Sequence, residues 1–228
     1  RALPALLRSS VNPALGPTSG ATSVTISGEG FEQNDDLVCT FGHSAPAVAA
    51  TWLSSTALRC DSPPAGGAGV VDLLLSGRGV SAAAAAEFEY YAPPRIERTT
   101  PTHGPAVGGT LVLVSGTGFV VDAPAAMCRF GADAVVPAGS VPAATTVLCQ
   151  APSHKAGEVT VEVTMNNVDF TSDGVRFTYG AAVAVHAVSP YSGPVSGGTV
   201  VRVHGEHYTA DAALACRFGG ASVSPAVF

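Results

Sequence analysis

Gly104-Pro105-Ala106-Val107-Gly108-Gly109-Thr110 decides the fold, because the same frame occurs three times. It stands at Gly16-Pro17-Thr18-Ser19-Gly20-Ala21-Thr22, and again at Gly193-Pro194-Val195-Ser196-Gly197-Gly198-Thr199. The offsets are 88 and 89 residues. Other motifs keep the same step. Cys39-Thr40-Phe41-Gly42 returns as Cys128-Arg129-Phe130-Gly131 and as Cys216-Arg217-Phe218-Gly219. Phe88-Glu89-Tyr90 returns as Phe177-Thr178-Tyr179. The step exceeds the roughly 20–50 residues of a solenoid unit. It suits a small β-sandwich that buries its own core.

Local patterning agrees with sandwiches. Ser23-Val24-Thr25-Ile26-Ser27 and Val159-Thr160-Val161-Glu162-Val163-Thr164 alternate polar and apolar residues, the period of a half-buried strand. Leu111-Val112-Leu113-Val114 is apolar on both faces, which points to a neighbour packed against it. Ala82–Ala86 alone has helix propensity, and tertiary context can override it. Met165-Asn166-Asn167-Val168-Asp169 lies between two strand-like runs and reads as a hairpin turn.

The glycines and prolines of the repeated frame read as structural turns: Gly16, Pro17 and Gly20; Gly104, Pro105, Gly108 and Gly109; Gly193, Pro194, Gly197 and Gly198. Proline fixes φ, and glycine admits positive φ. Gly28-Glu29-Gly30-Phe31 and Gly116-Thr117-Gly118-Phe119 close the following strand, each aromatic plugging the end of a sandwich. No Lys-Ser/Thr follows the glycines, and no helix does, so phosphate-loop and dinucleotide-binding readings fail. The expected class is all-β, tandem antiparallel immunoglobulin-like sandwiches. The expected units are residues 1–92 (core from about residue 8), 93–181, and the N-terminal half of a third repeat at 182–228.

Charged residues make up 12% of the 228, and the net charge is −6 with 11 Lys plus Arg. The usual charged share is about 25%. With no basic cluster, nucleic acid and anionic membrane surfaces are not expected partners. No apolar run reaches the length of a membrane span. Residues 1–7 are broken by Pro4 and do not read as a signal peptide. With no initiator Met, the chain reads as an internal piece of a longer protein. No Asn-x-Ser/Thr occurs, since Asn12 precedes Pro13 and Asn34, Asn166 and Asn167 lack the hydroxyl residue.

Five cysteines are present. The repeat pairs Cys39 with Cys60 and Cys128 with Cys149. Cys216 matches Cys39 and Cys128, and its expected partner falls beyond residue 228, so truncation leaves it unpaired. A loop of this size adds roughly 3 kcal/mol as a disulfide. Buried reduced cysteine is the alternative. Disulfides in each repeat imply an oxidising compartment. Two Cys per repeat, with no recurring His, do not make a zinc site or a catalytic Cys. His186, His204 and His207 have ligand-like spacing, but His204 and His207 align with Ser115 and Gly118. Asp35-Asp36, Asp122 and Asp211 recur before the first Cys of each repeat. They offer too few oxygens for calcium. No catalytic, metal or cofactor site is expected.

In order, Ser-Pro-x-x-Gly-Pro-x-x-Gly-Gly-Thr, Gly-x-x-Phe/Tyr, Cys-Arg-Phe-Gly, Cys-x-x-Pro and Phe-x-Tyr resemble the IPT/TIG domain. The copy beginning Ser189-Pro190-Tyr191-Ser192-Gly193-Pro194 matches best at the front. Cys149-Gln150-Ala151-Pro152 and Phe177-Thr178-Tyr179 supply the later elements. The first repeat departs at Ala21, at Thr40, and at Cys60-Asp61-Ser62-Pro63. The resemblance runs from about residue 8 onward and implies an E-set sandwich. Tandem copies with this cysteine pattern look like those of plexins, hepatocyte-growth-factor receptors and fibrocystin-like surface proteins. There they are stalks and protein-binding modules with no common active site.

The expectation is a non-catalytic array, extracellular or at the cell surface, whose partners are other proteins and neighbouring repeats of the same chain. Heavy Ala, Gly and Pro usage points to a GC-rich genome, hence a flagellar or cell-wall filament as one setting. A receptor ectodomain is the alternative. An intracellular immunoglobulin-like module of a transcription factor or cytoskeletal assembly is the next. A spacer beside a carbohydrate-active enzyme is the last.

Overall fold

The computed structural model describes residues 10–33, 36–43, 45–77, 80–181, 183–208, 214–220 and 222–227. No helix among them is long and apolar enough to cross a membrane. The first repeat runs β1 (Ser10–Asn12), β2 (Leu15–Pro17), β3 (Ser23–Ser27), β4 (Val38–Phe41), β5 (Val48–Ala49), β6 (Thr51–Ser54), β7 (Ala57–Asp61), β8 (Gly69–Gly77) and β9 (Val80–Tyr91). The second runs β10 (Arg95–Thr100), β11 (His103–Pro105), β12 (Leu111–Thr117), β13 (Met127–Phe130), β14 (Ala134–Ala143), β15 (Thr146–Gln150), β16 (Gly157–Thr164) and β17 (Arg176–Gly180). Then come β18 (Ala184–Ser189), β19 (Arg202–Glu206), β20 (Ala215–Phe218) and β21 (Ser222–Pro225).

Repeat 1 is a two-sheet sandwich. One sheet has the order β1-β3-β7-β6, the other β2-β9-β8-β4-β5. Alternation fixes which residues enter the core. Val24 and Ile26 are fully buried, while Ser23 and Thr25 face outward. Phe41, Phe88 and Tyr90 meet edge-to-face across the core, with ring centroids 5.0–6.4 Å apart. Phe31 is buried and its carbonyl accepts the Trp52 indole N–H at 3.1 Å.

Repeat 2 builds the same sandwich with one difference. β14 pairs with β15 of one sheet and β13 of the other, so one long strand crosses between sheets. In repeat 1 the crossing is broken at Ala50 into β5 and β6. Its core repeats the aromatic trio as Phe130, Phe177 and Tyr179. Val112 and Val114 point inward; Leu111 and Leu113, on the opposite face, are 61% and 37% exposed. The doubly apolar strand read from the sequence therefore has no neighbour over its outer face among the described residues.

Ala82–Ala86 lies within β9, where pairing with β8 overrides helix propensity. After repeat 2, the described residues form two antiparallel pairs, β18–β19 and β20–β21. Phe218, the counterpart of the fully buried Phe130, is 51% exposed there.

Candidate functional site

Cys39 on β4 is bonded to Cys60 on β7, and Cys128 on β13 to Cys149 on β15, each joining the two sheets of one sandwich. The Cα separations are 6.4 and 6.1 Å. All four cysteines are buried. Cys216 is a partly buried free thiol.

The repeated glycine frame does more than turn the chain. Gly16 and Pro17 lie in strand β2, and Gly104 and Pro105 in β11, rather than in turns. The requirement at Gly16 is close approach: a Cβ there would overlap Thr22 Oγ1 and come within 2.8 Å of Phe88 Cζ. The sharp turn follows at Gly20 and Ala21, with φ of 77° and 65°. Gly108, Gly109, Gly197 and Gly198 share this left-handed conformation. Gly193 packs against Thr199 as Gly16 packs against Thr22, although Gly193 and Pro194 lie outside any strand.

Only Ala92, Pro93 and Pro94 separate β9 from β10. Such a short proline-containing link brings the loop between β16 and β17 against the end of repeat 1. Asn166, 3% exposed, is the centre of that contact. Its Oδ1 accepts from Thr164 Oγ1 at 2.9 Å, Val168 N at 3.0 Å and Asp169 N at 2.9 Å, which shapes the loop. Its Nδ2 donates to Asp169 Oδ2 at 2.7 Å and, across the junction, to the Leu15 carbonyl at 3.0 Å. Both Nδ2 hydrogens are thereby used, as burial of an amide demands. Asp169 Oδ2 also accepts the Thr22 hydroxyl of repeat 1 at 2.7 Å.

Apolar packing continues across the junction. Tyr91, the last residue of β9, belongs to the core of repeat 2, and Leu15 packs against it. Burial, and next the Asp169 carboxylate, push the Tyr91 phenol well above the ordinary tyrosine value. The loop is held from its far side too. Arg129 pairs with Glu162 and stands 4.1 Å over the Phe170 ring. Asp173 accepts Ile96 N at 2.7 Å and pairs with Arg95 at 3.5 Å. An open cleft of about 440 Å³, lined in part by Pro17, Pro94, Val168 and Asp173, lies along this seam.

The sequence flagged this loop as a hairpin turn and missed its contact with repeat 1. The available signal was polar: Asn166 and Asp169 sit at the tip, while the first repeat has no Asn or Asp between Leu75 and Phe88.

His186 and His207 lie 3.5 and 3.8 Å from Glu206, all three exposed. Among the described residues no three His, Cys, Asp or Glu side chains group as a metal site. Asp122 lies in a loop with φ of 54°; Asp35 and Asp211 fall outside the described residues.

A family model for the IPT/TIG domain matches residues 7–90 and 94–179. The chain belongs to the IPT/TIG family. Rat Plexin-A3 is 26% identical over 218 residues, covering 86% of this chain and 11% of its own length. Human Plexin-A2 is 30% identical over 159 residues, covering 67% of this chain and 8% of its own. The chain thus spans about a tenth of the length of these IPT/TIG relatives. The solved full extracellular region of plexin A4 superposes with a TM-score of 0.51 at 18% identity, over 95% of this chain and 19% of that one. That likeness supports the fold. With plexins as relatives and a disulfide in each of the two matched IPT/TIG repeats, the segment is extracellular or at the cell surface.

Proposed function

We propose that the segment is a non-catalytic, protein-binding stretch of an extracellular array, in which IPT/TIG modules are held at set angles and spacing. Its units are residues 1–92, 93–181 and the opening strands of a third module at 182–228. It stands on a cell surface or in an extracellular filament, flagellar or cell-wall. Its partners are other proteins and its own neighbouring modules. The net charge of −6 supports a role without nucleic acid or direct membrane contact.

The observation that carries this reading is the buried Asn166 network. A flexible tether would leave those polar groups to water. Here the junction buries and pairs them, which holds one orientation. Small-angle scattering of the 228-residue chain tests it. A single rigid arrangement of repeats 1 and 2 should fit the profile. A broad ensemble of interdomain angles would overturn the fixed junction.

A receptor ectodomain is the second reading, and the plexin relatives favour it. Labelling intact cells with an impermeant amine reagent, then extracting with high salt, separates the two. Detergent-dependent release supports the receptor, and salt release supports the filament.

A further inference from the structure

The junction is directional. Repeat 1 supplies a seat, made of the Leu15 carbonyl and the Thr22 hydroxyl. Repeat 2 supplies the tip that fills it. Repeat 2 also carries a seat of its own. β11 pairs in parallel with β17 as β2 does with β9. A Cβ on Gly104 would overlap Thr110 Oγ1 and come within 2.9 Å of Phe177 Cζ, matching Gly16 with Thr22 and Phe88. The backbone bonds repeat as well. Thr18 N to Tyr91 O is 2.8 Å, and Ala106 N to Gly180 O is 2.7 Å. Gly20 N to Pro17 O and Gly108 N to Pro105 O are both 2.9 Å.

Coverage is what differs. Gly16, Pro17, Gly20 and Thr22 are buried, whereas Gly104, Pro105, Gly108 and Thr110 are only half-buried. The same surface is thus closed in one repeat and open in the next. Three residues beyond β17, β18 and β19 begin another copy of the fold.

We infer that the His103 carbonyl and Thr110 hydroxyl form a docking site for the hairpin tip of a succeeding IPT/TIG module, one presenting an amide donor and a carboxylate three residues apart. The occupant is read from Asn166 and Asp169, which fill the equivalent seat on repeat 1. The tip's amide would donate to the His103 carbonyl, and its carboxylate would accept the Thr110 hydroxyl. The inference rests on the fixed-junction reading above.

Amide hydrogen exchange tests it, comparing the 228-residue chain with a longer protein extended through a complete third IPT/TIG module. Amides of Ala106, Gly108 and Gly109 should exchange about five- to tenfold slower in the longer protein, the effect of one or two net hydrogen bonds. Thr110→Val in the longer protein should restore the faster rates, and Thr110→Ser should not. Equal exchange in both proteins, or no effect of Thr110→Val, would overturn the site. Thr22→Val is the control, read at Thr18, Gly20 and Ala21. If it leaves them unchanged, the fixed junction itself fails and the inference falls with it. If Thr22→Val acts and Thr110→Val does not, only the second seat is lost.

Discussion

The Thr22 hydroxyl donates to the Asp169 carboxylate at 2.7 Å, joining two residues 147 apart in the chain and in different sandwiches. Asn166 completes the link through the Leu15 carbonyl. These three side chains turn a three-residue connection into a defined joint.

Asn166→Ala should therefore act on both stability and shape. The loop loses its internal acceptor for the Val168 and Asp169 amides, and the Leu15 carbonyl loses its donor. A loss of about 2–3 kcal/mol is expected for repeat 2, since buried polar groups are left unpaired. Urea unfolding measures the stability, and small-angle scattering should show a wider spread of interdomain angles. Wild-type stability in this variant would remove Asn166 from the centre of the joint.

Ala21→Gly should stabilise repeat 1. Ala21 holds φ of 65°, a conformation unfavourable to any residue with a Cβ, and Gly109 and Gly198 occupy the matching places. Relief of that strain, offset by the greater unfolded freedom of glycine, leaves a gain of about 0.5–1 kcal/mol. A lower melting temperature would contradict this account.

Replacing Cys128 and Cys149 together by alanine should lower the stability of repeat 2 by about 3 kcal/mol while leaving Cys39–Cys60 intact. Alkylation of unreduced native protein, followed by mass spectrometry, should modify Cys216 and spare the other four. Modification at Cys39 or Cys128 without denaturant would contradict the pairing.

Alkaline titration should show a late tyrosine. Burial raises the Tyr179 phenol from 10.0 to about 12, with Tyr90 and Tyr91 displaced in the same direction. Because the folded state holds these protons more tightly, their contribution to stability is intact below about pH 10. It is lost as pH rises through about 12. Phenolate absorbance followed beside circular dichroism tests this. Titration of every tyrosine near the ordinary value, with the fold still intact, would exclude it.

The sequence made the sandwiches legible because their determinants recur. Val24 and Ile26 alternate with polar residues, as do Val161 and Val163, and the core needs that alternation in every copy. The joint was not legible for the opposite reason. Of the two repeats whose sequence reaches this loop, only the second carries Asn166 and Asp169, so periodicity does not mark them, and a polar hairpin tip has the composition of any solvated turn. Thr22 recurs as Thr110 and Thr199, yet its fixed place against Gly16 masked a second role toward the next domain. Leu111 and Leu113 show the converse: apolar pattern called for a neighbour, and both remain exposed.

The parallel pairing of β2 with β9, and of β11 with β17, bears on mechanics. Each pair joins the entering end of a module to its leaving end. A pull along the chain therefore drags the two strands past each other in opposite directions. Their hydrogen bonds are strained together and must rupture as a group, where a hairpin would unzip one rung at a time. Beyond each such clamp, the disulfide limits how much chain tension can draw out. The modules are built as links that yield late.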